Sequence, residues 1–118
     1  LNALIVDDSR AMLALIGRLL RKLEYRVAAF STAESSLFHV DAGHPLDAAV
    51  VDLRLADGDG IDVVVALRAR RPDLRIVVCT SDATSRTRVR AFAAGADAVV
   101  VKPPTESSLQ QALYAVSP

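Results

Sequence analysis

The chain has 118 residues, of which 14 basic and 14 acidic side chains cancel to zero charge and 52% are hydrophobic. That length bounds it to one domain, which should bury roughly two thirds of its unfolded surface and fold without disulfides or a structural metal. Its single cysteine can form neither an internal bridge nor a four-ligand zinc site, and its neutrality argues against a broad nucleic-acid-binding surface or an acidic disordered tail. No apolar run approaches the roughly 18 residues of a membrane span, and no basic-apolar signal region opens the chain. A cytoplasmic location without membrane contact is the expectation. Leu1 stands where an initiator methionine would, which reads as a trimmed piece of a longer chain.

Short β-branched runs alternate with amphipathic stretches from end to end, the signature of a parallel sheet wrapped by helices. The predicted strands are Ala3 to Val6, Arg26 to Phe30, Ala48 to Val51, Arg75 to Cys79 and Ala98 to Val101. Most are near-continuously apolar, as expected of strands covered on both faces. A first helix carries Met12, Leu15, Ile16, Leu19, Leu20 and Leu23 at helical spacing, with Asp8 or Ser9 as its N-cap. A second should begin at Ser31 with a capping box to Glu34 and end at Gly43. A third runs from Ile61 towards Arg70 and stops before Pro72; a fourth spans about Thr84 to Ala94 and is closed by Gly95. The last places Leu109, Ala112, Leu113 and Val116 on one face, after Pro103 and Pro104. Five strands and five helices account for residues 1–118 as one domain with no linker.

In an open parallel sheet, chemistry sits beyond the carboxyl ends of the strands. Asp7 and Asp8 follow the first strand, Asp52 the third, Thr80 and Ser81 the fourth, and Lys102 the fifth. Singly, each has an ordinary reading: a helix cap, a turn residue, a strand-end hydroxyl, a solvated charge. Jointly they crowd three carboxylates, a hydroxyl and one ammonium into a single pocket. Three neighbouring carboxylates repel, so such a site binds a proton or recruits a cation, and an all-oxygen donor set favours a hard ion such as Mg²⁺. A carboxylate beside that ion can attack phosphorus and form an aspartyl phosphate, with lysine and threonine holding the phosphoryl oxygens.

These residues resemble the receiver domain of two-component response regulators over the whole chain. Leu4-Ile5-Val6-Asp7-Asp8-Ser9 is similar to that family's acidic opening, Val50-Val51-Asp52-Leu53 to its phosphoacceptor segment, and Cys79-Thr80-Ser81 to its hydroxyl switch. Gly95-Ala96-Asp97, followed by Lys102-Pro103, is similar to its ending. The resemblance implies a flavodoxin-like, doubly wound five-stranded parallel sheet of order 2-1-3-4-5 with five helices. It implies that Asp52 takes a phosphoryl group from the phosphohistidine of a sensor histidine kinase or phosphotransfer protein. It also implies that Asp8 and Asp52 bind Mg²⁺ directly and Asp7 through water, with the Arg54 backbone carbonyl completing the set. Thr80 and Lys102 would contact the phosphoryl oxygens, and the surface of the fourth helix, fifth strand and fifth helix would meet a partner, dimer mate or output domain. The domain would catalyse its own phosphorylation and dephosphorylation while serving chiefly in signalling, with no direct contact to nucleic acid.

Three positions depart from the pattern: Val99 replaces the usual switch aromatic, Ala56 the usual proline, and Pro104 an apolar side chain. Val99 keeps open a second reading, a receiver-like interaction module with constitutive or atypical output. Arg54 and Asp82 would flank the mouth of the site, and their pairing across it would slow hydrolysis of the phosphoryl group. A haloacid-dehalogenase-like phosphatase would need a second aspartate where Arg54 stands, and a nucleotide-binding loop would need glycines that Asp7-Asp8-Ser9-Arg10 lacks. Cys79 reads as a small core hydrophobe, His39 and His44 as surface residues, and Arg86, Arg88 and Arg90 as a solvated face.

Overall fold

Along the apolar runs, successive side chains point to opposite faces of a pleated strand, so each run feeds two cores at once. A computed structural model describes residues 1–114, and in chain order it shows β1 (Asn2–Val6), α1 (Arg10–Lys22), β2 (Arg26–Phe30), α2 (Ala33–Asp41), β3 (Ala48–Val51), β4 (Arg54–Leu55), β5 (Gly58–Asp59), α3 (Gly60–Arg70), β6 (Arg75–Thr80), α4 (Ser85–Ala94), β7 (Ala98–Val101) and α5 (Glu106–Tyr114). The main sheet is wholly parallel in the order β2-β1-β3-β6-β7. Counting its five strands alone, that is the expected 2-1-3-4-5. Val116 lies outside the described residues.

Ala3 and Ile5 of β1, Val50 of β3, and Val77 and Cys79 of β6 face one core with α1 and α5, through Ile16, Leu20 and Leu109. The alternate residues Leu4, Val6, Val51, Ile76 and Val78 face the other with Val40 of α2, Val64 and Leu67 of α3 and Ala91 of α4. β1, β3 and β6 are almost entirely buried, whereas edge strand β2 is not. Cys79 is fully buried, and desolvation pushes its thiol up to about 12, so it is an inert core residue.

Local signals set most helix ends. Ser9, Asp59 and Thr84 cap α1, α3 and α4 by accepting from Met12, Ile61 and Thr87 N–H groups. Gly43 and Gly95, both at positive φ, follow α2 and α4. The capping box expected from Ser31 to Glu34 does not form. Thr32, in extended conformation, is the N-cap instead and accepts from Ser35 N–H, while the Glu34 N–H is taken by a residue distant in sequence, Asp57. The sequence reading also did not resolve β4 and β5, which form an antiparallel ribbon pairing Arg54 with Asp59 and Leu55 with Gly58.

At the amino ends of β6 and β7, Arg68 of α3 acts as a clamp. Its guanidinium donates to the carbonyls of Gly95, Pro72 and Leu74 and to Asp97 Oδ2, the last at 2.8 Å. The same Asp97 oxygen accepts the Ile76 N–H.

Candidate functional site

The parallel ladder runs one residue beyond the strands and thereby fixes the site. Asp7 N–H donates to Phe30 O, Asp52 N–H to Val6 O and Lys102 N–H to Thr80 O, at 3.0, 2.8 and 2.9 Å. Because β1 lies beside β3, and β3 leads through β6 to β7, Asp7, Asp52, Thr80 and Lys102 collect at one sheet edge. Asp8, one residue further along, is exposed at the rim.

Lys102 Nζ stands between two carboxylates, 2.9 Å from Asp7 Oδ2 and 3.2 Å from Asp52 Oδ1. Asp7 is 1% exposed and Asp52 6%, so both are removed from bulk water. Burial, and next the charge of Asp7, raise the pKa of Asp52 above the usual carboxylate value; Lys102 and the Arg54 N–H oppose the shift without cancelling it. Burial works against the Lys102 ammonium, but its close contacts and charge interactions with Asp7 and Asp52 outweigh that and raise its pKa. Thr80 is buried, and its Oγ1 accepts the Asp82 N–H at 3.1 Å, so its own O–H proton remains available.

One carboxylate oxygen each from Asp7, Asp8 and Asp52 lie within 4.8 Å of one another. Asp7 Oδ1 accepts the Ser9 N–H, whereas its buried Oδ2 meets Lys102 as a close ion pair without hydrogen-bond alignment. A buried anionic oxygen lacking an aligned donor, beside two further carboxylates, suits a hard divalent cation. The donor set therefore fits the ion its chemistry implies.

Arg54 and Asp82 do not form the ion pair expected across the mouth. Asp82 turns instead to α4, accepting from Thr87 Oγ1 at 3.1 Å and from Thr84 N–H at 3.4 Å. The Thr87 hydrogen bond leads the causes that lower the Asp82 pKa, and the charge of Arg54 comes last among them. Between them lies a cleft of about 410 Å³ floored by Leu53 and Thr80, adjoining Asp52 but not enclosing it. Val99 is half-buried against the core that α4 covers, and Pro104 is buried in the role of an apolar side chain.

Two contacts around the β4–β5 ribbon were not anticipated. The Asp57 carboxylate accepts from the Ala33 and Glu34 N–H groups, and Asp59 meets Arg90 Nη2 at 3.3 Å. The Asp57-Gly58 pair signals a hairpin turn, but not where its carboxylate reaches.

A family model described as response regulator receiver domain matches residues 3–114. The photosynthetic apparatus regulatory protein RegA of Rhodobacter capsulatus is 38% identical over 114 residues, covering 97% of this chain and 61% of that protein. The acid tolerance regulatory protein ActR of Rhizobium meliloti strain 1021 is 40% identical over 114 residues, covering 95% of this chain and 57% of that protein. The chain thus spans about three fifths of the length of these curated relatives. Among solved structures, a response regulator of Burkholderia pseudomallei with a phosphorylated aspartic acid, calcium ion and citrate superposes with TM-score 0.86 at 28% identity, over 97% of this chain and 66% of that one. The chemotaxis protein CheY4 of Vibrio cholerae, 22% identical with TM-score 0.89 over 98% of both chains, shares the fold.

Proposed function

This chain belongs to the response regulator receiver family, and from that premise we propose that Asp52 accepts a phosphoryl group from the phosphohistidine of a sensor histidine kinase or phosphotransfer protein. An Asp52 carboxylate oxygen forms the new O–P bond while the N–P bond of the phosphohistidine breaks, and the imidazole leaves with the electron pair. Asp8 and Asp52 would hold Mg²⁺ directly and Asp7 through water, with the Arg54 carbonyl completing the set. When bound, the ion neutralises charge on the phosphoryl oxygens in flight.

The chain's own residues supply the rest. Lys102, already 3.2 Å from Asp52, moves from a carboxylate oxygen to a phosphoryl oxygen, and the free O–H of Thr80 donates to another. Since Thr80 sits beside Lys102 in the ladder, their shift is passed to β7 and α4. Val89, Phe92 and Val101 are exposed on that side at 68%, 46% and 49%, next to Arg86 and Arg90, which supports it as the face for a partner, dimer mate or output domain. Residues 1–118 are read as one receiver domain acting in the cytoplasm, without direct contact to nucleic acid. No helix among the described residues is long and apolar enough to cross a membrane.

The observation that supports this reading is Lys102 bridging Asp7 and Asp52, the Asp7 oxygen it meets being buried and without an aligned donor. A second reading rests on Val99, which has no ring to swing: a receiver-like module whose partner binding does not follow phosphorylation. Acetyl phosphate with Mg²⁺ should add one phosphoryl mass to the wild type and none to Asp52→Asn. No mass gain in a folded wild type would leave the interaction module.

A further inference from the structure

A ribbon with two residues in each strand is not stable by itself and must be held by its surroundings. Three anchors hold this one. Leu55 is buried in the core, and Asp59 pairs with Arg90 of α4, an exposed contact of the weak kind. The third is at the tip, where Asp57 Oδ1 accepts the Ala33 N–H at 3.0 Å and Oδ2 the Glu34 N–H at 3.2 Å.

Those two N–H groups belong to the first turn of α2, where a helix leaves donors unpaired and its dipole favours an anion. Thr32 satisfies only the Ser35 N–H, so α2 depends on a carboxylate from another element to complete its start. The bonds to Ala33 and Glu34 hold the Asp57 carboxyl below the usual carboxylate range. At the root of the same ribbon, Arg54 N–H donates to Asp52 Oδ1, and Arg54 pairs with Asp59. Asp57 is therefore tied at one end to α2 and lies three residues from the carbonyl assigned to the cation.

We propose that Asp57 is a positioning residue for the cation site: by pinning the ribbon tip to the start of α2, it holds the Arg54 carbonyl against Asp52 and raises the affinity for Mg²⁺. This rests on the reading of Asp7, Asp8, Asp52 and the Arg54 carbonyl as a cation site. The Asp57 carboxylate does not touch the ion. It restricts the segment that does, so that less ordering is left to the moment of binding.

Amide NMR titration of the unphosphorylated protein with Mg²⁺ tests this without reference to activity. Asp57→Ala is expected to weaken Mg²⁺ binding about tenfold, the low end of what losing the support behind a metal ligand costs. Asp57→Asn keeps the shape and one acceptor, preserves the fold, and should show a smaller loss. Thr32→Ala removes the helix's own cap but leaves the ribbon tethered, so it should bind as the wild type does. Wild-type affinity in both Asp57 variants, or an equal loss in Thr32→Ala, would overturn the positioning role and leave the cation site standing. Failure of the wild type itself to bind Mg²⁺ would overturn the site reading and the positioning role together.

Discussion

Replacing Asp52 with asparagine should make the metal-free protein more stable. Asp52 is 6% exposed, and an Asp7 carboxylate oxygen lies within 4.8 Å of one of its own. At an effective dielectric constant of about 20, that repulsion is at least roughly 3.5 kcal/mol, against an attraction of about 5 kcal/mol to the Lys102 ammonium. The pair interactions thus favour the charge by at most about 1.5 kcal/mol, while burying a carboxylate costs several. The balance agrees with the raised pKa of Asp52 and leaves a net penalty of about 1–2 kcal/mol, worth roughly 5 °C in thermal midpoint for a domain of this size. The sign with pH follows from the same shift. A carboxyl whose folded pKa exceeds its unfolded value favours folding at low pH and loses that contribution as pH rises through the folded pKa. Asparagine does not titrate, so its advantage should be full near pH 7 and shrink as pH falls towards the ordinary carboxylate value. Mg²⁺ should reverse the order, because a ligand at one hundred times its dissociation constant adds about 2.7 kcal/mol to the protein that binds it. Thermal and urea denaturation of both proteins, in chelator and then in Mg²⁺, measures all three effects. An Asp52→Asn variant no more stable than wild type in chelator at neutral pH would refute the charge balance drawn here.

Gly60 opens α3 where an added Cβ would overlap the Asp52 carbonyl oxygen and lie 2.6 Å from Leu53 Cα, so backbone rather than a flexible side chain would have to give. Gly60→Ala should therefore lower stability in urea by about 1–3 kcal/mol, and a neutral result would show that this close approach is not required. At the far end of α2, the His39 and His44 rings stack with centroids 4.2 Å apart. Burial first, then the charges of His44 and Arg71, lower the His39 pKa, so its neutral form favours the fold. That contribution is present above the unfolded value near 6.5 and is lost as pH falls through the folded pKa. Thermal midpoints between pH 5 and 8 should rise with pH more steeply in wild type than in His39→Phe, and parallel curves would remove the basis for the assignment.

The strands were legible because near-continuous apolar runs such as Ala48 to Val51 have few alternatives in a chain of this length, and the site residues were legible because they end those runs. The helix start at Thr32 was not. Ser31 and Glu34 satisfy the local capping pattern, but Thr32 is the cap, and the Ala33 and Glu34 N–H groups go to Asp57, 24 residues from Ala33 in sequence. The ribbon escaped notice because two-residue strands carry no periodicity. Asp82 lies two residues beyond Thr80, where a pairing with Arg54 is easy to expect, yet the nearer hydroxyl of Thr87 and the N–H of Thr84 satisfy it first. At Asp82 spacing identified the right residue and could not rank its competing partners; at the start of α2 it placed the cap one residue early, on Ser31 rather than Thr32.

The Arg68 clamp gives the two ends of the sheet different mechanical characters. At the amino ends of β6 and β7, a single guanidinium and one aspartate knit α3, β6 and the turn into β7 through charge-assisted bonds. At the carboxyl ends, the ribbon hangs from two side-chain tethers and its buried Leu55. A phosphoryl group placed on Asp52, as proposed, would act on a sheet fastened at the amino ends of β6 and β7. Its displacement would then be expected in the loops around the site and in α4, as in a lever with a fixed pivot, rather than in a rigid-body shift of the strands.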